Sequence, residues 1–168
     1  MDKYFYFAAQ LPLLSLQQTE NISSKQFFIE EASKWLSKKD IKILLSVNLD
    51  DYHVDKRNQT QKLCSQFEYE IRSEIAKYRK SLHEDFEYKV SLFPMTMLKD
   101  GSPLDVENRL LQLRWDFYEE NSQGHYSDLN YLILYYLKLQ ILWRIMSFDK
   151  ENGQKKFLDT CKIEIAAA

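Results

Sequence analysis

The spacing of apolar residues in the middle of the chain restricts the possible folds more than any other sequence feature. Between Leu63 and Phe86 the apolar residues recur at steps of three and four, which places them on one face of an α-helix and on no single face of a β-strand. The positions between them are mostly polar, and Glu68 with Arg72 has the four-residue spacing of a weak ion pair on the solvated side. The pattern predicts one long amphipathic helix.

The rest of the chain carries few of the residues that tight turns require. Only three glycines and three prolines occur among 168 residues, whereas β-sandwiches and barrels need such residues repeatedly. With 45% apolar residues, a chain of this length can bury a core that needs neither disulfides nor metals. The sequence therefore predicts an all-α fold, a helical bundle of five or six helices with one long amphipathic helix.

Two short helices are predicted before the long one. Ser23 and Ser24 are suitable N-caps for a helix that ends near Leu36. Ser37 restarts the pattern, with an acidic residue three positions later as in a capping box. Together these two elements suggest an αα-hairpin.

Two further helices are predicted after the long one. Residues 105–118 carry two adjacent apolar stripes, which are wide enough to meet two neighbours. Residues 129–148 are apolar nearly all round and should form the most buried helix, with Ser127 as its N-cap and Gly153 as the signal that ends it. Residues 91–102 contain helix-breaking residues and are predicted to be an irregular connection.

These elements predict a single helical domain over residues 1–165. The polar interval 50–61 leaves open a second arrangement, in which an N-terminal hairpin lobe (1–50) precedes a main bundle (60–165). The alanines at 166–168 resemble a vector-derived tail.

The sequence does not assign a secondary structure to two segments near the ends of the chain. The segment up to about Leu16 is too short for its periodicity to separate helix from extended chain. Residues 157–165 fit either a short last helix or an extended tail.

Charge and cysteine content favour a cytoplasmic protein. Lys and Arg number 23 against 25 Asp and Glu, so no strong field attracts nucleic acid or anionic lipid. Cys64 and Cys161 lack the spacing of a disulfide or metal motif. No signal peptide is expected, and the apolar run 129–148 contains Lys138 and Arg144, which disfavour insertion into a bilayer. Any membrane association is predicted to be peripheral and to occur through partners.

Residues for catalysis or cofactor binding do not form a familiar pattern. The three histidines are scattered, and no glycine-rich phosphate loop or nucleophile elbow is present. The sequence therefore predicts no metal, no cofactor, no small-molecule substrate and no catalytic residue. Two alternatives stay open: enzyme chemistry by carboxylates or His125, and nucleic-acid binding by the basic strip Lys77–Lys80.

Several polar residues lie beside apolar stripes in the two helices after Pro103. Their burial without partners would be costly, so they either pair across the two helices and fix their register or form a charged face for a partner. These residues are Arg109, Arg114, Asp116, Lys138, Gln140 and Arg144.

Three sequence patterns and the aromatic start of the chain carry a resemblance. They are P-L-x-x-E-x-x-L-x-x-L-R-W-D-F at 103–117, G-H-Y at 124–126 and L-K-L-Q-I-L-x-R at 137–144, together with an aromatic opening that runs into a Leu-Pro pair in the region 6–14. In these patterns the chain resembles an uncharacterised bacterial family encoded among V-type ATPase genes. That family is in turn similar to the all-helical C (or d) subunit of V-type rotary ATPases, which seats the central stalk on the membrane ring.

The resemblance implies a non-catalytic V-type ATPase-associated subunit, with a coupling or assembly role at the central stalk or rotor and V-type ATPase subunits as partners. The alternative is a free-standing helical adaptor or nucleic-acid-binding module. The candidate interaction or structural residues are those of the three patterns: Glu107, Arg109, Arg114, Trp115, Asp116, His125, Tyr126, Lys138, Gln140 and Arg144.

Overall fold

The computed structural model of the protein describes residues 4–18, 20–53 and 58–166. In these ranges the chain forms helices and no β-strand, which confirms the all-α prediction. The eight helices are α1 (Phe5–Gln10), α2 (Lys25–Trp35), α3 (Lys38–Leu45), α4 (Gln59–Glu84), α5 (Thr96–Lys99), α6 (Pro103–Ser122), α7 (Leu129–Met146) and α8 (Lys150–Ala166).

The helix count exceeds the predicted five or six. The additional helices are α1 and α5, with six and four residues. Helices this short do not complete two turns, so they leave no periodic pattern to recognise. Helix α5 lies in the segment that was predicted to be an irregular connection.

Helix starts follow the expected capping chemistry at most positions. The Ser24 and Ser37 side chains accept hydrogen bonds from the backbone N–H groups of Phe27 and Asp40. At α6, Ser102 and Asp105 form a reciprocal capping box, which satisfies donors that have no partner within the helix.

Two predicted helix boundaries are wrong. The N-cap of α7 is Asp128 and not Ser127, because the Asp128 carboxylate accepts from the Tyr131 N–H. Helix α7 ends at Met146, and Gly153 lies inside α8 instead of ending α7. A glycine inside an exposed helix costs only about 1 kcal/mol, so it did not stop α8.

Helix α7 is the centre of the main core, as its composition predicts. Ten of its residues are buried, among them Leu132 and Ile141 with no exposed surface. The same cluster includes Phe28 of α2 and Leu44 of α3. The hairpin and the bundle therefore share one apolar core, while their separation into two lobes stays a prediction.

A second, smaller core lies between α4, α6 and the segment that joins α4 to α5. Phe67 and Ile71 of α4 pack there with Phe93 and Leu110. Phe117 of α6 stacks on Phe67, with 3.8 Å between the ring centroids, and it packs against both clusters. Across the described part of the chain, no helix combines the length and apolar character needed to cross a membrane.

Candidate functional site

A buried ion pair joins the long helix α4 to α6. The Glu68 side chain is 2% exposed, and the Arg114 guanidinium donates to it from Nε (2.8 Å) and Nη2 (3.1 Å). Arg72, one turn further along α4, donates from Nε to the same carboxylate at 2.6 Å. Three hydrogen bonds from two arginines thus compensate one buried negative charge.

The environment of Arg114 keeps its guanidinium charged. Burial alone would lower the pKa of Arg114, but the hydrogen bonds and charge of Glu68 outweigh burial and raise this pKa above its ordinary value. The third nitrogen, Nη1, is buried and has no hydrogen-bond partner among the described residues. An unpaired buried donor of this kind is costly, so it marks Arg114 as a residue with unused binding capacity.

Asp50, in the loop after α3, lies between two more guanidinium groups. Its Oδ1 is 3.1 Å from Arg72 Nη2, and both of its oxygens are 3.5 Å from Arg144 Nη1 on α7. Arg144 Nε also lies 2.8 Å from Glu107 Oε1 on α6. That contact has the distance of an ion pair. Nε has no hydrogen-bond partner among the described residues, so its N–H is not directed at the carboxylate.

These charged residues line one cleft of about 590 Å³. Four arginines and three carboxylates surround it, and leucine, isoleucine and alanine side chains supply apolar walls. Its polar and aromatic lining residues are Asp50, Tyr52, Glu68, Tyr69, Arg72, Ser73, Arg79, Glu107, Arg114 and Arg144. We call this group the α4–α6 cleft. Its three carboxylates already contact arginines, and the four arginines outnumber them. The arrangement is therefore suited to binding a negatively charged group.

Three of the predicted candidate residues meet in this cleft: Glu107, Arg114 and Arg144. The interpretation that polar residues pair across α6 and α7 holds for Arg144, which contacts Glu107 as described. Arg114 departs from that interpretation, because its partner Glu68 lies on α4.

Lys138 and Trp115 form a second contact between α6 and α7. Lys138 Nζ lies 2.8 Å from Glu119 Oε2 and 5.6 Å from the centre of the Trp115 ring. Both Lys138 and Trp115 are 7% exposed. Lys138 therefore pairs across the two helices, as expected, and Trp115 belongs to the main core.

Other candidate residues hold loops or face solvent. The Gln140 side chain bonds to the backbone of Val47 and Leu49 in the loop after α3. Arg109 donates to carbonyl groups around α5, including that of Asp100. Asp116 accepts from Gln112 on its own helix. These residues lie outside the α4–α6 cleft.

The loop before α7 contains the remaining two candidates. His125 Nδ1 is 2.7 Å from Asp128 Oδ2, and Asp128 is also the N-cap of α7. Tyr126 is 76% exposed. Within the described ranges, no group of three His, Cys, Asp or Glu residues is placed to hold a metal ion.

The basic strip Lys77–Lys80 is divided between different environments. Lys77 pairs with Glu74 at 3.4 Å and Lys80 with Glu84 at 3.6 Å. Tyr78 is half-buried against the smaller core. Arg79 lines the α4–α6 cleft. The strip therefore does not present its charges and its ring as one continuous surface.

Glu68 is the principal residue of the cleft that the sequence interpretation missed. Its predicted position on the solvated side of the long helix is wrong, since it is among the most buried polar residues. The sequence contains one indication that Glu68 is buried. It lies one helical turn after Cys64 and one turn before Ile71, both of which are buried. An acidic residue on an apolar stripe indicates a buried pair.

A separate apolar surface lies on α1 and α2. Its large side chains are unusually exposed: Phe5 59%, Tyr6 72% and Trp35 44%. The Phe5 and Tyr6 rings meet edge to face, with their centroids 5.9 Å apart. The Tyr6 and Trp35 rings stack with centroids 6.4 Å apart, so α1 and α2 meet at these two side chains. We call these three residues the α1–α2 aromatic surface. The sequence left α1 unassigned, so this surface was not predicted.

A comparison with protein families gives a match to the second half of the chain. The model of the family described as "Protein of unknown function (DUF2764)" matches residues 72–165. No curated protein and no solved structure shows a significant match to the chain. The matched residues include Arg72, Glu107, Arg114 and Arg144 of the cleft, whereas the α1–α2 aromatic surface precedes them.

Proposed function

We propose a function for this chain, which belongs to the DUF2764 family of proteins of unknown function. The proposed function is that of a non-catalytic V-type ATPase-associated subunit, which acts by binding other proteins. Its role is in coupling or assembly at the central stalk or rotor. The proposal places it in the cytoplasm, at the membrane only through its partners.

The observation that carries the proposal is the α1–α2 aromatic surface. Large apolar side chains that gather on one exposed surface are a common sign of a protein interface. Tyrosine and tryptophan are enriched at interfaces and dominate their binding energy. Tyr6 and Trp35 are stacked on each other in the free protein, so binding would restrict their side chains less than it would restrict isolated rings.

The resemblance in the patterns at 103–117, 124–126 and 137–144 supports the choice of partner. It relates the chain to proteins encoded among V-type ATPase genes and to a subunit that has no catalytic residues. The α1–α2 aromatic surface supplies a means of attachment that does not need a catalytic centre.

The test is affinity capture of the C-terminally tagged protein from its native cells in mild detergent, followed by mass spectrometry. We expect V-type ATPase stalk, catalytic-head or rotor-ring subunits with the wild type. The double variant Tyr6→Ala/Trp35→Ala should lose most of this recovery. Phe86→Ala is the matched control, since Phe86 is 46% exposed and lies after α4; it should recover the subunits as the wild type does.

Other results would support a different function. Recovery of a different protein that the double variant loses would favour the free-standing adaptor. Salt-sensitive recovery of RNA or DNA that is lost when Lys77 and Lys80 are replaced by glutamine would favour the nucleic-acid-binding module. Wild-type protein that brings no ATPase subunit overturns the proposal.

A further inference from the structure

The α4–α6 cleft combines excess positive charge, an unpartnered buried donor and apolar walls. From these features we propose that the cleft binds an acidic segment of a partner protein, with one Asp or Glu carboxylate of that segment held by its arginines. This inference does not depend on association with a V-type ATPase, because the cleft shares no residue with the α1–α2 aromatic surface.

The charges of the cleft leave room for one negative group. Its lining contains four arginines against Asp50, Glu68 and Glu107. The fourth arginine, Arg79, is exposed and has no ion-pair partner among the described residues. A single added carboxylate balances the set. A polyphosphate would bring several negative charges close to three carboxylates that are already present, and like charges at short range repel.

Arg114 supplies a hydrogen-bond donor that none of the described residues accepts from. Two of its nitrogens bind Glu68, the third has no partner in the described part of the chain, and the residue is 8% exposed. Arginine binds carboxylates through paired N–H groups in a fixed geometry. Because Glu68 fixes the guanidinium, little side-chain freedom remains to be lost when a ligand binds.

Asp50 marks the place where the carboxylate would bind. Its own carboxylate already contacts Arg72 and Arg144, yet its side chain is 56% exposed and the Arg144 contacts are long, at 3.5 Å. Exposed contacts of this kind are weak. An incoming carboxylate can therefore compete with Asp50 for these two arginines.

The remaining lining favours a peptide over a small free anion. Ile75 and Ala76 line the cleft beside the charged groups, and neither is fully buried, so they can receive the apolar neighbours of an acidic residue. The volume of about 590 Å³ accommodates several side chains. Tyr52 stacks against Arg72, with the guanidinium carbon 5.1 Å from the ring centre, so the cleft also offers an aromatic ring to the segment.

The test is an NMR titration of the ¹⁵N-labelled 168-residue chain, observed at the arginine Nε–H signals. The probe is a blocked pentapeptide with alternating leucine and glutamate, and its control replaces each glutamate by glutamine. Separate arms use inorganic phosphate and citrate. We expect saturable shifts of the Arg114 and Arg144 signals with the glutamate peptide, and weaker or no binding in the other three arms.

Variants at exposed positions test the site without endangering the fold. Arg79→Gln should weaken peptide binding about two- to fivefold and Asp50→Asn should strengthen it by a similar factor, the range for single exposed charge contacts. Lys80→Gln removes an equal charge on α4 outside the cleft and should leave the affinity unchanged. Backbone amide spectra verify that each variant is folded.

Three results would overturn the proposal. They are the absence of saturable arginine shifts with the glutamate peptide, equal binding of the glutamine peptide, and tighter binding of phosphate or citrate, which would make the cleft a small-anion site. Because the peptide assay contains no ATPase subunit, its outcome is separate from the outcome of the capture experiment.

Discussion

Glu68 on α4 and Arg114 on α6 form a two-point ion pair in which the side chains are 2% and 10% exposed. Taking two charges out of water costs several kcal/mol per ion, and only close, well-directed hydrogen bonds offset this cost. The pair therefore holds α4 against α6 in one register, and this register positions the walls of the α4–α6 cleft.

Removing one partner of this pair should destabilise the protein severely. We expect Glu68→Leu to lower the free energy of unfolding by about 3–5 kcal/mol, because Arg114 is then left buried and uncompensated. Urea denaturation followed by circular dichroism measures the loss. The double variant Glu68→Leu/Arg114→Met should recover much of it, since both buried charges are then absent.

The double variant also decides whether the ion pair is responsible. The single variants Glu68→Leu and Arg114→Met are measured beside it. If the double variant loses as much stability as the two single variants together, Glu68 and Arg114 contribute independently. That result would contradict the pairing described above.

The prediction of the fold succeeded for features that depend on the residue spacing within a single helix. The long helix was recognisable because its apolar residues share one face along α4, and Ser24 and Ser37 were recognisable as caps because each acts on an N–H three residues away. These relationships lie within single elements, and short-range spacing in the sequence encodes them.

The site could not be predicted in the same way. Glu68 and Arg114 are 46 residues apart, and only the packing of α4 on α6 shows that they meet. Likewise, the residue types of Tyr6 and Trp35 do not indicate exposure, because aromatic residues are usual in cores. The short α1 gave no periodic pattern that would have assigned a face to Tyr6.

Two tryptophans in different environments provide a matched pair of variants. Trp115 is 7% exposed in the main core and Trp35 is 44% exposed on the α1–α2 aromatic surface. Trp115→Ala should lower the free energy of unfolding by about 3–5 kcal/mol. Trp35→Ala should lower it by less than about 1 kcal/mol. Chemical denaturation of both variants checks the difference, and similar losses for the two would contradict the assigned environments.

Glu74 should make the stability of the protein depend on acidic pH. Its carboxylate accepts from the Ser91 N–H at 2.8 Å and from the Tyr88 hydroxyl at 2.9 Å. The Ser91 bond is the main reason why the pKa of Glu74 lies below its ordinary value of 4.5, with smaller contributions from Tyr88 and Lys77 and an opposing effect of burial.

The pKa of Glu74 is lower in the folded than in the unfolded protein. The ionised carboxylate therefore stabilises the folded state, and this stabilisation is fully present at a pH above the pKa of the unfolded protein. This stabilisation is lost as the pH falls from about 4.5 through the folded pKa. Glu74→Gln should thus be less stable than the wild type at pH 6, and the difference should shrink toward pH 3. Urea midpoints at both pH values measure it. Glu84→Gln, at an exposed position on the same helix, should show a much smaller pH-dependent difference.

The two cysteines should differ strongly in their reaction with thiol reagents. Cys64 is buried near the start of α4, and burial raises the pKa of its thiol to about 12, so almost no reactive thiolate exists at pH 8. Cys161 on α8 is partly exposed. An Ellman assay of the folded protein should show one rapidly reacting thiol, which Cys161→Ser removes and Cys64→Ser leaves. In urea both thiols should react at similar rates, because the difference arises from burial alone. Two rapidly reacting thiols in the folded wild type would show that α4 opens around Cys64 more readily than its packing allows.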